Sequence, residues 1–183
     1  MKGFAREIPV HAMMVALLIV SQLALSAVPG VEVVTVLLAA YSAAWGALRG
    51  ACVAVCFSLL RCLLFGFVPN VVVLYCIYFP LFAVALGLAG KFHGKKSWIP
   101  ILVGTVMTPL FTLTDNVVTP LMTGLRGLRW RLYAYHSLPV VGTQTLCALV
   151  TLIALYLPLK QVFLLVAKRA MAKNAREKER KIS

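Results

Sequence analysis

Three charged residues stand where an apolar chain has least reason to keep them: Glu32, Arg61 and Asp115. Each falls within or beside a long hydrophobic run, whereas Glu7, Glu177 and Glu179 lie near the ends of the chain. A charge at the centre of a membrane helix costs about 2.5–3.5 kcal/mol on insertion scales, so such residues are rare and are usually paired or functional. The chemistry open to them is electrostatic capture. An arginine and two carboxylates can hold a charged small molecule, or they can hold one another. Arg61 is expected to pair with Glu32 or Asp115, either beneath a binding cavity or as an ion pair that only fixes helix packing. No His-Glu-x-x-His, Gly-x-Ser-x-Gly or phosphate-binding glycine loop occurs in the sequence, so the reading is a protein that is not an enzyme. No cofactor or metal is expected either. His11, His93 and His136 fall on three different segments. Cys52, Cys56, Cys62, Cys76 and Cys147 sit inside apolar stretches with no CxxC pair, and such thiols behave as small hydrophobes.

The elements that must position these charges are membrane helices. Of 183 residues, 62% are apolar and 13% charged, against about 25% charged in a soluble domain. Mean hydropathy is +0.94. A spanning helix needs roughly 20 apolar residues, and six runs qualify: 8–28, 31–48, 51–67, 71–90, one from 97 onward, and 137–159. The run from 97 carries Pro100, Pro109 and Pro120 and is expected to be the least regular. The fold class is therefore all-α, a polytopic membrane protein of six transmembrane helices with both termini cytoplasmic. Residues 1–7 form a cytoplasmic N-terminus, 8–159 the transmembrane domain and 160–183 a basic cytoplasmic tail. Lys2, Arg6 and the following apolar run resemble a signal peptide. The run is long enough to span, however, and Pro29 disfavours cleavage beside it, so it reads as a retained first helix.

Orientation follows from the basic residues. One side holds 14 of the 18 Lys and Arg, the other only Arg126, Arg129 and Arg131, and Arg61 lies within a helix; the richer side faces the cytoplasm. Eight basic residues lie between Lys160 and Lys181, where anionic headgroups explain them better than nucleic acid does. At a 1.5 Å rise, Arg61 lies roughly 15 Å and Asp115 roughly 27 Å from the inner surface. Other polar and aromatic groups share that outer half. Asn70, Tyr75 and Tyr78 follow the third helix, Asp115 and Asn116 sit in the fifth, and an outer loop over 125–136 brings Arg129, Tyr133 and His136. Taken singly, each aromatic suits a headgroup belt. Together with Arg61 they suit a planar or anionic ligand. The candidate substrate-binding residues are Glu32, Arg61, Asn70, Tyr75, Asp115, Asn116, Arg129, Tyr133 and His136. Ala12 and Ala16, four apart on the first helix, form a small-xxx-small spacing at which another helix can approach closely.

The order of these features resembles the S components of energy-coupling factor (ECF) importers over about residues 8–165. Ala12-x-x-x-Ala16 is similar to the alanine motif of that family's first helix. The stretch Val28-Pro29-Gly30-Val31-Glu32-Val33-Val34-Thr35, the run Leu63-Leu64-Phe65-Gly66-Phe67, and Tyr135-His136-Ser137-Leu138-Pro139 leading towards Leu157-Pro158-Leu159 carry the rest. Gly30, where members often have asparagine, and Val140-Val141-Gly142-Thr143-Gln144 depart from the pattern on the ligand side. The resemblance therefore does not carry over a substrate. It implies a multi-pass subunit of a bacterial plasma membrane that binds a vitamin or related micronutrient from outside. Such a subunit docks through its first helix on a transmembrane coupling protein driven by two ABC-type ATPases. The competing readings are a small gradient-driven secondary transporter and a ligand-free membrane scaffold.

Overall fold

The structure is a computed structural model that describes residues 2–25, 33–92 and 98–180, with side chains described over 7–25, 33–91 and 98–170 and at Ala172. The described residues form six helices: α1 (Lys2–Ala24), α2 (Val33–Trp45), α3 (Ala47–Phe65), α4 (Pro69–Phe92), α5 (Trp98–Thr123) and α6 (Leu128–Arg180). In lipid every backbone N–H and C=O must be satisfied within the segment, which leaves the helix as the local solution for runs of this length. Five of the six are long and apolar enough to cross a membrane. Their outer faces carry Leu63, Ile77, Leu102 and Ile153, each more than half exposed, an arrangement that lipid tolerates and water does not. The chain is an all-α polytopic membrane protein.

The exception is α2. Its 13 described residues rise about 20 Å, short of the roughly 30 Å of a hydrocarbon core. Residues 31 and 32 of the expected span lie outside the described residues. At the other end the helix stops at Trp45, because Gly46 takes φ +94°, a left-handed conformation open to a residue without Cβ. The expected break at Arg49-Gly50 is thus corrected to Gly46, and Arg49 belongs to the first turn of α3. Nine of the 13 residues of α2 are buried, so this short helix is the core around which the longer ones pack.

Successive helices run antiparallel. α3 lies against α4, α4 against α5, and α5 against α6, which returns to cover α2. α1 leans mainly on α3 and touches α6 only slightly. The α4 contact with the α2–α3 corner depends on glycine. A Cβ at Gly87 would lie 2.5 Å from the Ala47 Cα, and one at Gly90 would lie 2.7 Å from the Ala43 Cβ. Gly87→Ala is accordingly expected to lower stability by about 1–3 kcal/mol through overpacking. Gly142→Ala, whose Cβ would meet nothing within 4 Å, should leave it unchanged or raise it. Thermal unfolding in mild detergent compares the two; equal melting temperatures would contradict the close approach.

Two expectations about the second half of the chain are corrected. Despite its prolines, α5 is one unbroken helix, in which Thr105, Thr108, Thr114 and Thr123 donate to carbonyls four residues back. Pro120 has no N–H to give the Asn116 carbonyl. Trp130 Nε1 donates to that oxygen instead, at 2.9 Å. The expected outer loop over 125–136 is largely helical, since the reversal needs only 124–127, with Gly124 and Gly127 at φ 71° and 60°. α6 therefore starts at Leu128 and runs 53 residues. At about 80 Å it exceeds twice the hydrocarbon thickness. Beyond Pro158 its inner face still packs on the bundle, with Phe163 edge-on to Tyr41 and Ala167 buried.

Candidate functional site

Arg61 projects from the last turns of α3 towards α4. Its guanidinium carbon lies 4.2 Å from the Tyr75 ring centre and 5.2 Å from that of Phe65, a stacking geometry that partly replaces water around the cation. The expected ion pair with Asp115 is not formed, and Glu32 lies outside the described residues. The physical reason is visible at both ends. Arg61 is held over the Tyr75 ring, while Asp115 is taken up by hydroxyls, Tyr133 donating to Oδ2 and Thr119 to Oδ1, both at 2.6 Å. The Arg61 Nε is buried with no hydrogen-bond partner among the described residues, and the Gln22 Oε1 is in the same state. The other end of that amide, Gln22 Nε2, reaches the Tyr75 hydroxyl at 3.5 Å. A donor and an acceptor, both buried and both unsatisfied, thus lie on two side chains that touch one tyrosine. Such atoms are uncommon and ask for a missing partner.

Below them lies an aromatic floor. Tyr75 sits 4.9 Å from Phe79 and 5.6 Å from Phe111, ring centre to ring centre, and Phe57 and Tyr78 complete the cluster at 5.4 and 5.8 Å from Phe79. One turn beyond Phe111 on α5 stands Asp115, where a polar network ties three helices. Asn70 of α4 donates to Thr119 at 2.8 Å, Thr119 donates to Asp115, and Tyr133 of α6 closes the group. A second seam holds α5 to α6, with Asn116 donating to Ser137 at 2.6 Å and Thr112 to Gln144 at 2.8 Å.

The structure thus brings together Arg61 and Tyr75, and separately Asn70, Asp115 and Tyr133 with Asn116 nearby. It leaves Arg129 and His136 out. Seven residues apart on α6, they share the exposed face, whereas Trp130, Tyr133, Ser137 and Gln144 share the face that meets α5. As a helix, the segment cannot turn both sets inward. Gln22, Phe79, Phe111 and Thr119 were not among the sequence candidates. Gln22 alone left a trace, as an amide inside an otherwise apolar run.

A different cluster lies at the opposite, basic end of the bundle. Arg49 makes a two-pronged ion pair with Glu7, at 2.8 Å to Oε2 and 3.2 Å to Oε1. His11 stands 3.8 Å from the same carboxylate and bonds the Tyr41 hydroxyl, and Trp45 packs against His11. The sequence had assigned both Glu7 and Arg49 to cytoplasmic ends, but the Glu7 side chain is only 6% exposed and that of Arg49 34%. Removing Arg49 strands a buried carboxylate, while removing Glu7 frees an arginine that can reach water. Arg49→Ala is therefore expected to cost about 2–4 kcal/mol and Glu7→Gln less than half of that. Melting curves of the two variants check the asymmetry; the reverse order would contradict this pairing.

Beside this cluster, between α1 and α3, an apolar groove of about 420 Å³ opens on the outer face of the bundle. Ala12, Ala16, Val53 and Leu60 line it, with Cys52 and Cys56 along the α3 wall. The small side chains at 12 and 16 are what leave the space. No protein-family profile, curated protein or solved structure matches the chain. Its function has to be argued from these sites alone.

Proposed function

We propose that the chain is the substrate-binding membrane subunit of an ECF-type importer for a vitamin or related micronutrient. On this reading the basic end faces the cytoplasm of a bacterial cell, and ligand enters from the opposite side towards Arg61. Docking on a transmembrane coupling protein and two ABC-type ATPases occurs through α1. The observation that carries the reading is the pair of unsatisfied buried polar atoms, Arg61 Nε and Gln22 Oε1, on two side chains that both touch Tyr75. A cation kept among aromatic rings with no carboxylate beside it among the described residues suits a binding site better than a scaffold. The groove holding Ala12 and Ala16 adds support for docking, because small residues let a partner helix come close where hydrophobic force is absent.

The test is to purify the tagged chain from its native membrane, denature it, and identify the small molecules released by mass spectrometry. One compound in near-stoichiometric amount is expected. A chain that carries none, and whose melting no metabolite extract shifts, would favour the scaffold. A gradient-driven carrier is the second reading, supported by the Glu7, His11 and Tyr41 group buried in the basic half, since ionisable residues within a membrane often relay protons.

A further inference from the structure

Arg61 and Asp115 are both half-buried, and neither has an oppositely charged partner among the described residues. Asp115 accepts only from two hydroxyls. A carboxylate offers about four lone-pair sites, so acceptor capacity remains. Arg61 is stacked and its Nε is unused. Arg61 lies over Tyr75, Phe111 meets Tyr75 edge-on at 89°, and Asp115 stands one turn beyond Phe111 on α5. An acid and a base thus stand at the two ends of one run of ring contacts, with no ion pair between them. Direct pairing would neutralise both, yet each is braced in a separate geometry, Arg61 by two rings and Asp115 by Tyr133 and Thr119.

Resting on the proposal that this site binds a small molecule, we infer that its ligand is a planar ring with an anionic group at one end and an N–H donor at the other. Arg61 takes the anion, and Gln22 Oε1, on the amide that reaches the Tyr75 hydroxyl, is free to accept a hydrogen bond from a hydroxyl or amide of the ligand. The ring lies against Tyr75 and Phe111. Asp115 accepts the N–H, and the Tyr133 and Thr119 hydroxyls keep its oxygens aimed while it does so. A purely anionic ligand would leave Asp115 uncompensated next to a bound negative charge. A purely cationic one would be repelled by Arg61. The bipolar ligand satisfies both and supplies each charge with the partner it lacks among the described residues.

Three simple probes separate the cases: 4-(aminomethyl)benzoate, benzoate and benzylamine, titrated calorimetrically against the full chain in lipid nanodiscs. The bipolar probe is expected to bind at least tenfold more tightly than either of the others. Arg61→Ala should bring it to the level of benzylamine, and Asp115→Asn to the level of benzoate. Asp115→Asn retains an oxygen for the Tyr133 hydroxyl, and an unchanged melting temperature shows that it has folded. Equal affinities for the three probes, binding of none, or a wild-type preference that survives Asp115→Asn, overturns the inference. The importer reading fails separately. ATPases that accompany the chain while the probes bind alike leave that reading standing and remove this one. Tenfold discrimination without any ATPase leaves the ligand class standing and removes the importer.

Discussion

Arg61→Ala is expected to strip the chain of its captured ligand without loosening the fold. Truncating one partner of a desolvated charge pair costs about 2–5 kcal/mol of binding, which is at least a thirtyfold loss of affinity. Stability should move the other way or stay level. The substitution forfeits a stacking contact worth about 0.5–2 kcal/mol and recovers an insertion penalty of about 2.5–3.5 kcal/mol. With no carboxylate left stranded among the described residues, nothing opposes that gain. Lysine should restore only part of the affinity, since a point charge does not reproduce a planar fork stacked on Tyr75. Two readings on one preparation decide the matter: the ligand released on denaturation and the melting temperature. A variant that retains full ligand, or one that melts far below the parent, would show that Arg61 serves packing alone.

The second large effect is expected at the other end of the molecule. Ala12→Leu together with Ala16→Leu should fill much of the 420 Å³ groove between α1 and α3 and push away any helix seated there. A loss of roughly a hundredfold in docking, about 3 kcal/mol, is in the range that overpacking produces. The isolated chain should be indifferent, because the described residues that line the groove all belong to α1 and α3. Cys52 and Cys56 line the same wall and report on it directly. A membrane-permeant maleimide should label them in the isolated chain and less so when the partner is present, and in the double variant the partner should make no difference to the labelling. Unchanged labelling in the presence of partner would place docking elsewhere.

What the sequence disclosed of this fold is what lipid imposes on composition. Long apolar runs had to become helices, and the break expected between 67 and 71 falls beside Pro69, the first residue of α4, although α3 already ends at Phe65 because Gly66 takes a positive φ. Where the reading failed, the deciding fact was tertiary. Gly46 and Gly50 are indistinguishable along the chain. Only the contact of α3 with Ser42 shows that Gly50 is needed for close packing while Gly46 makes the turn. Residues 125–136 look like a loop because Arg and Tyr crowd them, yet no breaker lies between Gly127 and Pro139, and α5 offers Asp115 and the orphaned Asn116 carbonyl to a helical face. The site was half legible for the same reason. A charge inside an apolar run announces itself, so Arg61 and Asp115 were found. Their partners were not, since two charges in one leaflet look like a pair until the hydroxyls of Thr119 and Tyr133 are seen between them and any cation. Phe79 and Phe111 are ordinary membrane residues until five rings are found in contact.

The central claim is that this chain captures a ligand and borrows its energy from others. The most direct measurement isolates the tagged chain from its native membrane in lipid nanodiscs and quantifies every protein that accompanies it. The account expects one further multi-pass membrane protein and two ABC-type ATPases in fixed ratio to the chain, all lost with Ala12→Leu and Ala16→Leu. A chain recovered without ATPases, with ligand uptake that an ionophore abolishes, would contradict it and leave the gradient-driven carrier in its place.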